Sequence, residues 1–478
     1  MVFYMFGRIG QIAALLMMLP VIVALIYGEY RQLWSFLIAV AIAFVIGTVV
    51  SMICRTENKV IYAKEGFAIV SLAWLCMSAV GALPFVISGE VESYVDAFFE
   101  TVSGFTTTGA SVLPNVEALS YSMLFWRSFT HWVGGMGVLV FVMAIVSNMT
   151  DRSIHIMRAE MPGPVVGKLV PRGRDTAKIL YLIYIVMTIV QIVLLWVGDM
   201  DLFESIVHTF GSAGTGGFGI KSDSVGGYSS YSQIVIAVFM LLFGVNFNLY
   251  FLVVIGRFKT VLKSTELWAY LGIAATAVCV ITVNIYSLYG SVGESLRNAF
   301  FQTSSIMTTT GYSSVDFDLW PSLSKAVLLL LMCFGSCAGS TAGGLKISRV
   351  VILFKLILVE VKRMLHPRAV TSVKFEDKAV DKQTLDSVAI YFAVYVLCMI
   401  AAFLMICYEP FGFESNFTAV IATFNNIGPG FDKVGPMGGF GDYSSFSKIV
   451  FSFSMLCGRL EIFPLIIALS PSTWKKSR

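Results

Sequence analysis

The sequence predicts an all-α polytopic membrane protein, in which two N-terminal helices precede four similar units arranged around a pseudo-fourfold axis. Of its 478 residues, 57% are hydrophobic and only 13% are charged, whereas soluble domains contain about 25% charged residues. Apolar runs of about 20 residues, each long enough to cross a bilayer as a helix, recur along the chain. After the first two runs, a pattern of span, short helix, polar stretch and second span occurs four times, which indicates an internal repeat.

The N-terminal segment, residues 1–66, lies outside this repeat and contributes two helices. Its apolar runs Ile9–Tyr27 and Leu33–Ile53 follow each other closely, and the first lacks a convincing small-residue cleavage site. We therefore interpret both runs as retained membrane helices and not as a signal peptide.

The repeat divides the rest of the chain into four units, residues 67–150, 151–260, 261–365 and 366–478. The predicted first spans are Phe67–Ser88, Ala177–Val197, Leu267–Tyr289 and Val388–Tyr408. The predicted short helices are Val95–Phe105, Leu202–Ala213, Ser295–Met307 and Glu414–Phe424. The predicted second spans are Ser122–Val146, Ser232–Ile255, an unusually long run from Leu323 and Phe446–Leu469. A helix of roughly 10–13 residues is too short to cross a bilayer but suits a re-entrant segment.

The distribution of charge predicts the orientation of these segments. The stretches between the two spans of each unit carry mainly acidic residues, whereas the loops between units carry mainly Lys and Arg. Because basic loops remain in the cytoplasm, we expect both termini to be cytoplasmic and all four re-entrant segments to enter from outside. The basic loops Arg152–Lys178 and Lys362–Lys382 are candidate docking sites for a cytosolic partner, although this topology alone also explains their charge.

Four polar stretches, TTTGAS, GTGGFG, TTTGYS and NNIGPG, follow the short helices and align at Gly109, Gly217, Gly311 and Gly428. Non-helical backbone survives inside a membrane only where it is buried in protein or lines a wet cavity, so four equivalent stretches indicate one shared cavity. Their carbonyl and hydroxyl oxygens, at the partially negative C-terminal ends of helices, suit alkali cations, as in potassium filters. The alternative is that these stretches are ordinary Gly/Thr turns.

In these stretches the chain resembles a known family. The segments FTTTGAS, AGTGGFG, MTTTGYSS and FNNIGPGF are similar, in order, to the four pore-loop motifs of the Trk/Ktr/HKT superfamily of potassium transporters. The N-terminal helix pair and the NNIGPG form resemble the bacterial TrkH/TrkG branch. The resemblance implies potassium uptake through four M1–P–M2 units, a homodimer in the bacterial inner membrane, and a cytosolic nucleotide-binding regulatory subunit, TrkA.

The resemblance also implies which residues bind the ion. In the family, carbonyls at and just before the glycine of each loop coordinate K⁺. Carried over, the set is Thr107, Thr108, Gly109, Thr215, Gly216, Gly217, Thr309, Thr310, Gly311, Asn426, Ile427 and Gly428. A serine in the first loop accompanies sodium permeation in the family, so Gly109 implies a preference for potassium. Because the chain contains no GxxxxGK[ST] motif, we expect any regulatory nucleotide to bind the separate subunit and not this chain.

A second glycine-rich stretch, FGSCAGSTAGGLKISR, lies within the second span of unit three, at Phe334–Arg349. Four glycines, each costing a helix about 1 kcal/mol relative to alanine, predict an unwound loop below the filter that acts as a gate, and the resembled family has such a loop. We expect Lys346, at its end, to obstruct cations electrostatically. The alternative is a helix face of small residues that packs closely on a neighbour. The predicted gating residues are Gly335, Gly339, Gly343, Gly344, Lys346 and Arg459.

Arg459 lies within the predicted last span, where a charge is costly and marks a functional site by default. We expect it to face the pore and either to contact carbonyls of the gating loop or to act as a positive barrier, and the family has an arginine here. The alternative is a structural ion pair with another span. Arg127 is nearer a membrane face, where its side chain can snorkel to water. His131 and His208 are interpreted as packing or hydrogen-bonding residues.

Three classes of function are compatible with a membrane protein of this kind. The leading hypothesis is passive potassium uptake through a gated pore, and the alternative is a secondary symporter that couples K⁺ to H⁺ or Na⁺. Such transporters usually show inverted repeats, whereas every re-entrant segment here enters from the same side. An enzyme is not expected, because the spans show no nucleophile with a base, no aspartate pair and no metal-type cluster of Cys or His. The eight cysteines are interpreted as small packing residues.

Overall fold

The computed structural model describes residues 2–55, 63–137, 173–368 and 371–474. Among these residues, six helices are long and apolar enough to cross a membrane, and two further pairs of helices qualify as bent spans. The secondary structure of these residues is all-helical apart from one short β-hairpin. Three predicted features lie wholly or partly outside the described residues, namely the part of span Ser122–Val146 beyond residue 137, most of the loop Arg152–Lys178 and the last four residues.

The N-terminal segment forms α1 (Val2–Leu16), α2 (Met18–Tyr27) and α3 (Tyr30–Ile53), and α1 and α2 together make one candidate span. Helices α1 and α3 pack closely because Gly7 and Gly47 face each other. A Cβ on Gly7 would lie 2.6 Å from the carbonyl oxygen of Gly47. The two predicted N-terminal helices are therefore present, and small residues bring their backbones together.

The four units follow in order, and their short helices begin and end within three residues of the predicted positions. Unit one contains α4 (Ala63–Gly81), α5 (Leu83–Ser88), α6 (Tyr94–Phe105) and α7 (Tyr121–Gly135). Unit two contains α8 (Gly173–Val197), α9 (Leu202–Gly214), α10 (Ser230–Phe243), α11 (Phe247–Val254) and α12 (Phe258–Leu262). Unit three contains α13 (Thr265–Tyr289), α14 (Val292–Met307), α15 (Ser322–Phe334) and α16 (Ile347–Leu365). Unit four contains α17 (Lys382–Ile406), α18 (Phe413–Phe424), α19 (Ser445–Arg459), α20 (Phe463–Leu469) and α21 (Pro471–Trp474).

The second spans of units two, three and four are all broken. The sequence predicts a break only in unit three, and the predicted spans Ser232–Ile255 and Phe446–Leu469 are each present as a bent pair of helices. Helices α10 and α11 meet at 90°, and α19 and α20 meet at 118°. In unit two the side chain of Asn246 caps a new helix by accepting from Asn248 N–H at 3.0 Å. In unit four Glu461 and Ile462 both have positive φ, which ends α19, since the right-handed helix requires negative φ.

A β-hairpin, β1 (Lys374–Phe375) and β2 (Lys378–Ala379), follows α16 on the side of the molecule that the sequence predicts to be cytoplasmic. Phe375 is buried with Ile352 of α16 and Val388 of α17. The carboxylate of Glu376 at the turn accepts from Ser264 Oγ at 3.0 Å and from Glu266 N–H at 3.2 Å, at the start of α13. The hairpin therefore contacts both the second span and the first span of unit three.

Acidic residues at the other end of the molecule bind the starts of the second spans. Glu409 accepts from Ser444 N–H at 3.0 Å and Ser447 Oγ at 2.6 Å, and Asp199 and Glu90 make similar contacts with Ser229 and Ser120. Burial raises the pKa of Glu409, but the hydrogen bonds from Ser444 and Ser447 outweigh it, so the pKa lies below its ordinary value. These acids, at what we call the outer end, join the two spans of a unit and cap the second.

Candidate ion pathway

The four short helices α6, α9, α14 and α18 end in the same way. Two residues before the aligned glycine, each chain turns left-handed, with φ of 55°, 56°, 56° and 56° at Thr107, Thr215, Thr309 and Asn426. The next N–H in each chain donates to the carbonyl five residues earlier. These bonds are Thr108–Ser103 at 2.9 Å, Gly216–Gly211 at 2.8 Å, Thr310–Ser305 at 2.8 Å and Ile427–Ala422 at 2.9 Å. This is a Schellman ending, here built on Thr or Asn where glycine is usual.

Three threonines in a left-handed conformation are unusual, because a β-branched residue at positive φ is a genuine outlier. Such conformations cost of order 1–3 kcal/mol each and persist only where the surrounding structure imposes them. Four copies at equivalent positions therefore indicate a geometry that the protein needs and not a local accident. The shared ending gives the four loops the same backbone course as they leave their helices.

The four aligned glycines meet in a closed ring. Each lies against the carbonyl oxygen of the residue that precedes the glycine of the next unit. The contacts are Gly109 with Gly216, Gly217 with Thr310, Gly311 with Ile427 and Gly428 with Thr108. A Cβ added at any of the four would lie under 3.0 Å from that oxygen, closer than real Cβ atoms come, and all four have positive φ. The close contacts and the positive φ therefore favour glycine at all four positions, and the order of contacts returns from unit four to unit one.

The residues of the ring itself are neutral. The twelve residues predicted from the family resemblance are Gly, Thr, Asn or Ile, and all four glycines border one cavity of about 170 Å³ at the outer end, which Arg127 and Lys221 also line. Within the residues that the structure describes, no group of three or more His, Cys, Asp or Glu could hold a metal ion. The oxygens available at the ring are therefore backbone carbonyls, Thr hydroxyls and the side-chain amide oxygen of Asn426, which are hard ligands. The structure thus brings the predicted site residues of all four loops together.

Directly beneath the ring lies the segment Gly335–Lys346, which we call the intramembrane loop. It is not helical, so the alternative of a continuous small-residue helix face is wrong for these residues. Gly343 N–H donates to Thr309 Oγ1 at 2.7 Å, and Gly343 packs against the carbonyl of Asn425. Gly335, Gly339 and Gly344 have positive φ. The loop thus contacts the third and fourth loops of the ring from below.

The intramembrane loop is held by unit two, by the first span of its own unit and by a bond within the loop. Cys337 N–H donates to Gly244 O at 3.2 Å, at the break between α10 and α11. Ala338 N–H donates to the buried carboxylate of Glu266 at 2.7 Å, the residue whose own N–H binds Glu376 of the hairpin. Lys346 is buried, and its ammonium donates to the Ala342 carbonyl of the same loop. The break in unit two thus provides a backbone carbonyl that holds the loop.

Arg459 lies at the bend between α19 and α20 and contacts carbonyls on two sides. Its guanidinium donates to Thr341 O of the intramembrane loop at 2.6 Å, and to Gly135 O at 2.7 Å and Gly134 O at the end of α7. The contact with a loop carbonyl is the one that the sequence predicts. A buried ion pair is present nearby, but it joins Glu461 and Arg349. The cavity between loop, Lys346 and Arg459 is about 40 Å³, room for only a few water molecules.

Sequence reasoning misassigned Arg127 and missed its partner. Arg127 does not snorkel: it is 3% exposed and forms an ion pair of 2.6 Å with Glu100, which is 1% exposed. Glu100 also accepts from Ser111 Oγ at 3.0 Å and Val112 N–H at 3.1 Å, just beyond the first filter loop. No local sequence signal joins residues 27 positions apart. However, an Arg and a Glu that both lie within apolar helices could have been considered as a buried ion pair.

The chain is similar to known proteins over nearly its whole length. A family model described as "TrkH: Cation transport protein" matches residues 33–476. The Trk system potassium uptake protein TrkH of Salmonella typhimurium is 37% identical over 466 residues, covering 96% of each chain. TrkG of Escherichia coli K12 is 34% identical, covering 99% of this chain and 98% of that one. The crystal structure of the potassium transporter TrkH from Vibrio parahaemolyticus superposes with a TM-score of 0.88 at 33% identity, covering 99% of both chains.

Proposed function

The chain belongs to the TrkH family of cation transport proteins, and we propose that it takes up potassium through the ring of four filter loops. The family consists of transporters, so the chain is not an enzyme. The observation that carries the proposal is the closed ring, in which four equivalent glycines from four units meet around one cavity. In a passive pore of this kind, inward movement of K⁺ is driven by about 2.3 kcal/mol per 100 mV of membrane potential.

In this proposal the backbone oxygens of the ring replace the hydration shell of K⁺. The proposed ligands are the carbonyls of Thr107, Thr108, Gly109, Thr215, Gly216, Gly217, Thr309, Thr310, Gly311, Asn426, Ile427 and Gly428. Several features support this assignment: the identical left-handed turns, the four helix C-terminal ends with their partial negative charge, and the neutral residues of the ring itself. K⁺ is the transported substrate, and no other cofactor is proposed.

We assign the role of gate to the intramembrane loop, with Gly335, Gly339, Gly343, Gly344, Lys346 and Arg459 as gating residues. The loop lies against the ring and leaves a cavity of only about 40 Å³ beneath it. Two cationic side chains line this cavity, together with the carboxylate of Glu461, which is paired with Arg349. A passing cation would meet the charges of Lys346 and Arg459, so the arrangement in this structure supports a closed pathway. Opening requires the loop to leave its contacts with Thr309 and Asn425.

The proposal includes a bacterial inner-membrane location with cytoplasmic termini, a homodimer and a TrkA-like cytosolic subunit that binds the regulatory nucleotide. The described part of the basic loop Lys362–Lys382 supports a docking role, because its cationic side chains are exposed. They are Lys362, Arg363, Arg368, Lys374, Lys378 and Lys382. The β-hairpin in this loop contacts α13 through Glu376, and α13 contacts the intramembrane loop through Glu266, so a partner bound there would lie two hydrogen-bonded contacts from the gate.

The filter assignment is tested by measuring the uptake of K⁺, Rb⁺ and Na⁺ into vesicles that contain the purified chain, wild type and Gly109→Ser. Gly109 contacts Gly216 of the next unit, so a side chain there disturbs the ring, and we expect a higher ratio of Na⁺ to K⁺ uptake. An unchanged ratio would refute the filter assignment. A matched control is Gly290→Ser, since Gly290 also has positive φ but nothing lies within 4 Å of its added Cβ.

A further inference from the structure

The first and third filter loops are stabilised by their own side chains. In the first loop, the hydroxyls of Thr106 and Thr108 lie 2.8 Å apart, and in the third those of Thr308 and Thr310 lie 2.8 Å apart. Each pair joins the residues three and one before the filter glycine, across the left-handed threonine. These β-branched residues also restrict the backbone through their stiff side chains. The backbone of these two loops is therefore stabilised by side chains of the loops themselves.

The second filter loop cannot be stabilised in this way, because glycine occupies both positions. Gly214 and Gly216 stand where the threonine pair stands in the first and third loops. Glycine loses more conformational freedom on folding than any other residue, so this loop is intrinsically the least constrained of the three. Its backbone conformation must therefore be stabilised by residues of other segments.

His131 of unit one occupies the space that these threonine side chains would need. A Cβ on Gly216 would overlap the imidazole of His131, and a Cβ on Gly214 would overlap the His131 carbonyl. His131 is fully buried on α7. Its ring therefore packs directly on the backbone of the second loop.

The imidazole also makes two hydrogen bonds that join units one and two. Phe218 N–H, immediately after the filter glycine Gly217, donates to Nε2 at 3.3 Å. The ring proton therefore lies on Nδ1, which donates to the carbonyl of Gly104 at 2.7 Å, near the end of α6. The Phe218 carbonyl accepts from Tyr312 Oη of unit three at 3.2 Å. Both backbone groups of Phe218 are thus fixed by side chains of the neighbouring units.

We propose that His131 is a specificity-determining residue, which positions the second filter loop in place of the threonine pair that this loop lacks. The proposal rests on the filter function proposed above. His131 does not contact the ion; it acts through the position of Gly216 and Phe218. Without it, the second loop can widen the ring at one corner, and a wider ring discriminates less against the smaller Na⁺, which then passes with part of its hydration shell.

The test compares His131→Gln, His131→Asn and His131→Ala in the full chain, by the ratio of Na⁺ to K⁺ uptake into vesicles. Gln carries an acceptor that can reach Phe218 N–H as Nε2 of the imidazole does. The shorter Asn side chain can replace only Nδ1, the nitrogen that donates to Gly104. We expect Ala and Asn to raise the ratio about three- to tenfold, the effect of one lost hydrogen bond, and Gln to stay nearest the wild type. The ratio does not depend on the amount of folded protein, so a merely structural role would leave it unchanged.

A rescue variant sharpens the test. Adding Gly216→Thr to His131→Ala places one threonine of the first and third loops in the space that the imidazole leaves. Gly214 stays unchanged, because a Cβ there would meet the backbone carbonyl of residue 131 whatever its side chain. Gly216 is not among the residues with positive φ, so its backbone conformation allows threonine. We expect the double variant to recover part of the wild-type ratio, whereas Gly216→Thr with His131 present should impair uptake by steric overlap.

The outcomes separate this inference from the filter proposal. If Gly109→Ser raises the ratio and none of the three His131 variants does, the filter stands and the role of His131 is refuted. The role of His131 is also refuted if His131→Asn keeps the wild-type ratio while His131→Gln raises it. The acceptor for Phe218 N–H would then have no effect on selectivity. If Gly109→Ser also leaves the ratio unchanged, the filter proposal itself fails.

Discussion

The ring of four loops and the region beneath it differ in symmetry. In the ring, all four units contribute the same helix ending, the same left-handed turn and a glycine in the same contact. Beneath it, unit three contributes the intramembrane loop, unit two a bend that binds the loop's backbone, and unit four Arg459. A spherical ion needs equal ligands on all sides, whereas an obstruction needs only one segment that can move. The difference indicates that after duplication, the outer half stayed symmetric while the inner half diverged.

The ring should be the part of the comparison that tolerates change least. Gly217→Ala places a Cβ under 3.0 Å from the Thr310 carbonyl at a positive φ, and overpacking of this kind costs about 1–3 kcal/mol. We expect K⁺ uptake to fall at least about tenfold. The control Gly290→Ala also has positive φ but meets nothing within 4 Å, and uptake should stay near wild type. Equal losses in both variants would show that backbone conformation alone matters, and not the contact between units.

Removal of part of the intramembrane loop should raise K⁺ flux, whereas substitution in the ring should lower it. Deleting residues 339–343 removes the contacts of Gly343 with Thr309 and of Thr341 with Arg459, so we expect basal K⁺ flux to rise. The raised flux should still prefer K⁺ over Na⁺, since the ring is intact, and it should disappear when Gly217→Ala is added. Unaltered or lower flux would contradict a gate here, and an unselective flux would indicate a leak elsewhere.

The outer carboxylates should affect stability and not ion flow. Glu409→Ala removes the acceptor for Ser444 N–H and Ser447 Oγ at the start of α19, and loss of one hydrogen bond costs about 1 kcal/mol. Because the pKa of Glu409 is lowered in the folded protein, its contribution is present above the ordinary carboxyl pKa and is lost as pH falls through the folded value. Thermal unfolding should therefore show the variant less stable than wild type at neutral pH, with the difference shrinking in acid. A constant difference, or altered selectivity, would contradict this assignment.

The sequence predicts the features that repeat or that carry a strong local signal, and it misses bends and contacts that carry neither. The four short helices and the aligned glycines could be found because each copy supports the others, and the intramembrane loop because four glycines stand in one span. The bends in units two and four carry no comparable signal in the sequence. The bend in unit two depends on a helix cap by the Asn246 side chain, and the bend in unit four depends on a positive φ at Glu461. The Glu100–Arg127 pair and the contacts of His131 join positions far apart in sequence, which only the packing of α6, α7 and the second loop brings together.

The closure of the ring between Gly428 and Thr108 has a consequence for how the protein is made. Asn426 Nδ2 donates to Thr108 Oγ1 at 2.9 Å, across a sequence separation of 318 residues. Such distant pairings are the slowest to form, and the growing chain emerges from its N-terminus onward. A nascent chain thus carries three of the four loops of the ring in the bilayer with no possibility of completing it. Only insertion of the last unit, which also brings Arg459, both completes the ring and supplies a contact to the loop beneath it.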